Sequence, residues 1–388
     1  MKSEFITKPL STLADIQTGP FGSQLHKEDY VQAGTPIVTV EHLGKKKFIE
    51  QNLPCVSDVD KERLSKYILR EGDVVFSRVG SVDRCSYVSD EYDGWMFSGR
   101  CLRVRSLIEI DSQYLYYYFT LESTKQFVRG IATGATMPSI NTKFMGEVPV
   151  TYPPIEEQHK IASVLSALDD KIELNNKINE NLELQAQAIF KSWFVDFEPF
   201  GGVMPENWEK KSLSEISEMS VGGDKPKNAT EMPTTENTVP IYSNGISNEG
   251  LYGFTDKAKI VEESVTVSAR GTIGYVCLRQ TPYVPIVRLI TIIPRTNIVS
   301  AKYIYLHLKT MKISGTGTTQ QQLTVPNFKS TELSIPNITV INKFTSIVNP
   351  MFEKIKDNKI ENQRLASLRD TLLPKLMNGE IDVSEVKI

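Results

Sequence analysis

Two stretches of this chain repeat apolar residues every 3.5 positions, the spacing of a helix that buries a narrow seam against a partner helix. The first runs from about 155 to 194, with Leu165, Ile172, Asn179 and Ala186 at heptad position a and Leu168, Asn175, Leu182 and Ile189 at d. The second runs from about 338 to 377, with Val348, Ile355 and Asn362 at a and Met351, Asn358, Leu365 and Leu372 at d. Both are interrupted in the same way, Ile172, Asn175, Asn179, Leu182 being answered by Ile355, Asn358, Asn362, Leu365. Amides in such a seam cost stability relative to Ile or Leu but fix register, because a slip leaves them facing hydrocarbon. The alternative sets these Asn on a solvated helix face; their double occurrence favours the seam.

If a faces d in an antiparallel pair, the layers are Ile161 with Leu376, Leu165 with Leu372, Ile172 with Leu365 and Asn175 with Asn362. Beyond these come Asn179 with Asn358, Leu182 with Ile355, Ala186 with Met351 and Ile189 with Val348. Leu168 opposite Arg369 is the mismatch, relieved if the Arg stem lies on Leu and its head reaches water. A parallel pairing matches equally well, and connectivity decides against it, since a compact domain starts and ends near one place. Pro350, where the first helix has Ala167, and Pro374 each remove a helical hydrogen bond and can kink the second helix.

The duplication extends beyond the helices. Phe5, Lys8, Leu10, Ser11, Leu13 and Ile16 are answered by Trp208, Lys211, Leu213, Ser214, Ile216 and Met219. Thr35-Pro36-Ile37 matches Val239-Pro240-Ile241, and Ser77, Gly80, Ser81, Val82 match Ser268, Gly271, Thr272, Ile273. Ser139-Ile140 is matched with Thr324-Val325, and Glu147-Val148-Pro149-Val150 with Glu332-Leu333-Ser334-Ile335. The chain therefore reads as two copies of one unit: domain 1–154, helix 155–197, a Pro- and Gly-containing linker 198–207, domain 208–337, and helix plus tail 338–388. Within each domain, 72–77 and 264–268 read as strands entering Gly turns, and 112–130 and 301–312 as helices rich in Tyr and Leu. The fold class is α+β, a mixed sheet with packed helices and no regular βαβ spacing. The run Tyr114, Tyr116, Tyr117, Tyr118 reads as core and helix face rather than a base-stacking platform.

Composition narrows the function little. The chain has 388 residues, 40% of them hydrophobic, and a net charge of -3, so any nucleic-acid contact must come from local basic clusters. No apolar run approaches a membrane span, the N-terminal residues lack a signal-peptide core, and a cytoplasmic location is expected. Cys55, Cys85, Cys101 and Cys277 have no zinc-like spacing and read as small, mostly core residues. Tyr152-Pro153-Pro154 brushes against an adenine methyltransferase loop, but Thr151 stands where an acceptor amide is needed. Glu209-Lys210-Lys211 has the form of a nuclease core, yet it lies in the repeat's opening strand and its counterpart lacks the carboxylate. No phosphate-binding Gly-Lys loop occurs, and His26, His42, His159 and His307 are scattered. The residues point to binding, with the chemistry left to partners.

Several motifs then carry a resemblance: GPFGSQLHKEDYVQAGTPIV at 19–38, PPIEEQHKIASVLSALDDKIELNNKINENLE at 153–183, SWFVDFEPF at 192–200, PENWE at 205–209 and SARGTIG at 268–274. In order and in duplication the chain resembles the specificity subunit of type I restriction-modification enzymes. The resemblance implies two target-recognition domains reading the halves of a bipartite site on double-stranded DNA, spaced by antiparallel helices that dock two modification subunits. It implies S-adenosylmethionine in those subunits, and restriction subunits that translocate DNA with ATP and Mg²⁺; no cofactor is expected in this chain. A helix of 40 residues is about 60 Å long, one to two turns of duplex at roughly 34 Å each. Because the two domains differ in sequence, the target should be asymmetric. A coiled-coil scaffold without DNA recognition, or an enzyme acting alone, are the readings from other classes.

The candidate DNA-binding residues of the first domain are Gly19, Ser23 and Gln24, the run Lys45, Lys46, Lys47, then Arg78, Ser81 and Arg84, and Thr136 with Ser139 in the polar turn 133–139. The second domain offers Lys225, Lys227, Ser243, Asn244, Arg270, Thr272 and Thr319, Gln320, Gln321, Gln322. Arg and Lys suit phosphate or guanine, and Gln and Asn suit adenine. The Lys run also fits a solvated loop, and Gly80 and Gly271 fit tight turns better than contacts. No metal site is expected.

Overall fold

The computed structural model describes residues 5–315 and 322–383. The chain divides into two compact units, Met1–Leu174 with Glu361–Ile388, and Asn175–Ile360. This division cuts through both long helices, so each unit holds one domain and a half of each helix, where the sequence separates domains from helices.

In unit 1 the core sheet is antiparallel, in the order Ala14–Thr18, Cys101–Ser106, Val74–Ser77, Cys85–Tyr87. Unit 2 repeats that order with Ser217–Val221, Ile290–Pro294, Ser264–Val267, Val276–Arg279. A second small sheet ends each time in a parallel pair, Thr35–Val38 with Met96–Phe97 and Val239–Tyr242 with Val284–Pro285. A two-stranded ribbon, Ile6–Pro9 with Pro149–Tyr152 and Glu209–Ser212 with Glu332–Ile335, then leads into each long helix. The α+β class is as expected.

Backbone hydrogen bonds reset part of the repeat. The Ile140 and Leu323 N–H groups donate to the carbonyls of Arg78 and Ala269, each at 3.0 Å, so Ser139-Ile140 is answered by Gln322-Leu323 and not by Thr324-Val325. Leu10 and Leu213 likewise donate to Val148 and Thr331, both at 2.9 Å, which aligns Val150 with Leu333. Matching by residue type slides both segments by two places, because small apolar and Pro-containing runs look alike when shifted.

The long helices run Ile155–Phe194 and Ile338–Met377, and the second continues through Pro350 and Pro374. In unit 1 their halves run antiparallel, with Asp169 bound to Arg369 at 2.6 Å and Lys171 facing Glu361 at 3.9 Å. Ile161, Leu165, Leu373 and Leu376 are buried there, with Leu372 packed alongside; Ile172 and Leu365 are half-buried. In unit 2 the Asn358 amide donates to Asn179 Oδ1 at 2.8 Å, and Ala186, Val348 and Ile355 are buried with Leu182, Ile189 and Met351 against them. Asn175 is buried and Asn362 half-buried, on either side of the division. The Arg369 head does not simply reach water: it pairs with Asp169 and Asp370.

The tyrosine segment forms two helices, Ser112–Thr120 and Glu122–Ile131, where one was expected. Leu121 is extended between them, and the Thr120 hydroxyl donates back to the Tyr117 carbonyl at 2.7 Å, competing with the helical bond. Thr310 does the same to His307 and ends Ala301–Thr310. Tyr114, Tyr116 and Tyr117 are buried, and the Tyr114 hydroxyl donates to Thr151 O at 2.9 Å, so the run is core.

Candidate nucleic-acid interface

In each unit, loops from distant parts of the sequence meet at one end of the core sheet. In unit 1 the loop 19–24 crosses the turn 98–100 so closely that a Cβ on Gly19 would lie 2.1 Å from Ser98 O. Gly19 is therefore buried and works by packing; it offers no surface to a ligand. Arg78 donates its Nη1 to Gly99 O at 3.3 Å, bringing the loop 78–84 onto the same crossing. The turn 133–139 is closed by paired hydrogen bonds between Thr133 and Ser139, and Pro138 O accepts the Gly80 N–H at 2.8 Å. Gly80 has a φ of 75° with open space about it, as a turn glycine should.

Unit 2 builds the same junction. Gly222 N–H donates to Leu289 O at 2.8 Å as Gly19 does to Cys101 O at 3.2 Å, which aligns the turn 286–288 with 98–100. Leu323 bonded to Ala269 places Gln322 beside Arg270, whose Nη2 donates to Gln322 Oε1 at 3.3 Å.

The junction gathers some of the expected residues. Ser23, Ser81 and Thr136 are exposed on it, with Arg78 and Ser139 half-buried. Gln24 lies on it too, though its Oε1 is occupied by the Tyr67 hydroxyl at 2.6 Å. Arg270, Thr272 and Gln322 are half-buried together in unit 2, and Lys225 and Lys227 are exposed, Lys225 lying 5.0 Å from the Tyr252 ring centroid. Thr319, Gln320 and Gln321 lie outside the described residues.

Other candidates have structural employment. Lys46 binds Asp170 at 2.8 Å and Lys47 binds Glu173 at 2.6 Å together with Glu91, tying their loop to the first long helix. Burial opposes the Lys47 charge, but Glu173 and Glu91 outweigh it and its pKa is raised. Lys45 alone of that run points out freely enough to be exposed. Asn244 spends both ends of its amide inside the fold, donating to Val287 O at 2.6 Å and accepting the Ala269 N–H at 2.7 Å, and the neighbouring Ser243 N–H is bonded to Gly250 O. Arg84 is exposed, with its guanidinium on the Leu43 carbonyl.

The sequence reading missed Arg100 and Arg288. They occupy equivalent positions on the aligned turns, and both are exposed. Each stands just before a core strand, a place where a solvated Arg carries no periodicity signal. Arg63, Arg103, Arg105, Arg129 and Arg369 each pair with a carboxylate. Among the described residues Arg78, Arg84, Arg100 and Arg288 form no ion pair, which leaves positive charge at both junctions for an anionic partner.

Two copies of one α+β domain, each followed by a long helix and each ending in a junction of unpaired Arg, define a duplicated two-domain binding module. Residues 2–184 and 205–369 match the family model for the type I restriction modification DNA specificity domain, and the chain belongs to that family. Its relatives include the MjaIX specificity subunit of Methanocaldococcus jannaschii, 30% identical over 71% of this chain and 70% of the relative. The HindI specificity subunit of Haemophilus influenzae is 26% identical over 86% and 92% of the two chains. The crystal structure of a type I restriction-modification S subunit from M. genitalium shares the fold, with a TM-score of 0.63 at 18% identity and coverage of 97% and 96%. Among the described residues no helix is long and apolar enough to cross a membrane.

Proposed function

We propose that this chain is the DNA-reading subunit of a type I restriction-modification enzyme, each domain reading one half of an asymmetric bipartite site. The observation that carries this reading is the duplicated junction, with Arg100 and Arg288 exposed and unpaired at equivalent places. Arg at such positions holds phosphate or pairs with guanine, while Gln322 beside Arg270 suits a base edge. Because Gln24 and Ser139 of one junction are answered by Lys227 and Gln322 in the other, the half-sites differ too. The paired helices set the separation of the half-sites and dock two modification subunits. Methyl transfer with S-adenosylmethionine, and translocation and cleavage with ATP and Mg²⁺ by restriction subunits, belong to those partners, and a chromosomal target puts the work in the cytoplasm.

The test is binding of the target duplex by the chain assembled with modification subunits. Arg100→Ala and Arg288→Ala should each weaken binding about tenfold, and a residue that holds phosphate should lower the salt slope by about 1. Wild-type affinity in both variants, or no preference of the wild type for the target over unrelated duplex, would contradict the reading.

A further inference from the structure

Unit 1 carries an exposed aromatic ring on the first loop of its junction, at a position where unit 2 has a carboxylate. Phe21 stands on the loop 19–24 with 51% of its surface exposed. The main chain beneath it cannot retract: besides the Gly19 crossing, a Cβ on Gly99 would lie 2.2 Å from Pro20 O. The N–H groups of Gln24 and Leu25 both donate to Phe21 O, at 2.7 and 3.1 Å, which closes the turn after it. The Arg78 guanidinium lies 5.4 Å from the ring centroid, and on another side Phe21 helps line an open cleft of about 530 Å³ with Tyr30, Asn52 and Arg100. The result is an aromatic face presented by rigid backbone and flanked by two Arg that form no ion pair among the described residues. Nucleobases are the partners that use both features, stacking on the ring while phosphate meets the guanidinium. In unit 2 the aligned position is Asp224, which cannot stack.

Resting on the DNA-reading function proposed above, we infer that Phe21 is a specificity-determining residue: its ring stacks on a base at one step of the half-site read by unit 1, wedging that step open, while Arg78 and Arg100 hold the flanking phosphates. Pyrimidine–purine steps unstack most readily, so the half-site of unit 1 has a TA or CA step at this place. The half-site of unit 2 has no such requirement.

The experiment uses the full chain assembled with modification subunits and the mapped target duplex, with 2-aminopurine placed at successive positions. Wild type should raise the fluorescence at one position, in one half-site only. Phe21→Ala should remove that rise and weaken binding about tenfold, with the salt slope unchanged, and Phe21→Trp should restore both. Phe21→Ala binding within about twofold of wild type, the rise persisting in that variant, or failure of Phe21→Trp to restore binding would each overturn the wedge while leaving sequence-specific binding by wild type intact. A wild type that does not discriminate the target removes instead the function on which the wedge rests.

Discussion

Where the first long helix meets the second in unit 1, Asp169 accepts hydrogen bonds from Arg369 at 2.6 Å and from the Tyr117 hydroxyl at 2.7 Å. The matching positions in unit 2 are Phe352, Ala186 and Leu306, all buried. Nearby, unit 1 packs Ile161, Leu373 and Met377 where unit 2 packs Phe344, Phe190 and Phe194. Phe190 and Phe194 lie 5.8 and 4.9 Å from the Phe344 ring centroid, in edge contacts. One backbone arrangement thus tolerates an ionic triad in one copy and an aromatic cluster in the other. Burial penalises the Arg369 charge, but Asp169 and Asp370 outweigh it and its pKa is raised. Such a triad contributes little net stability, because desolvation offsets the attraction; its effect is to penalise any arrangement that separates the partners.

The largest effect is expected in unit 2. Phe190→Ala should cost about 3–4 kcal/mol, read by chemical denaturation and by faster hydrogen exchange in 338–360. Asp169→Ala strands a buried hydroxyl and a guanidinium whose side chain is 30% exposed, so about 2 kcal/mol is expected, below the full cost of breaking a wholly buried pair. Importing the unit 2 solution, Asp169→Phe with Arg369→Ala and Tyr117→Leu, should leave stability within about 1 kcal/mol of wild type or raise it. A triple variant weaker than Asp169→Ala would mean that the two seams are not interchangeable. Smaller still, Lys46→Ala should cost less than about 1 kcal/mol and leave DNA affinity within about twofold, since its ammonium is engaged by Asp170; a large affinity loss would return it to the interface. Finally, burial pushes the Cys85 and Cys101 thiols up to about 12, so they stay protonated throughout the neutral range. With Cys277 also buried and raised, a thiol reagent at pH 8 should label Cys55 alone in the folded chain.

The helices were legible because a 3.5-residue period over 40 positions leaves little freedom, and both extend as the sequence predicts. The duplication was legible at its ends for the same reason: Trp208 answering Phe5 and Asn358 answering Asn175 are strong, spaced signals. The break at Leu121 was not, because it depends on a single hydroxyl turning back on a carbonyl. Among the candidate interface residues, those in turns, Ser81 and Thr136 among them, are exposed, since turns between strands reach the surface. Charge alone did not show that Lys46 and Lys47 form ion pairs, because their acidic partners stand more than a hundred positions away at Asp170 and Glu173. It also hid Arg100 and Arg288, which among the described residues form no ion pair, a property of the folded chain that local sequence does not carry.

The most direct test maps methylation across the genome of a host that expresses this chain with its modification partner, before and after residues 1–151 are exchanged for the corresponding domain of a relative. The account predicts an asymmetric motif in two parts separated by unread bases, of which the exchange alters one part and leaves the other unchanged. A continuous or palindromic motif, or an exchange that rewrites both parts together, would contradict it.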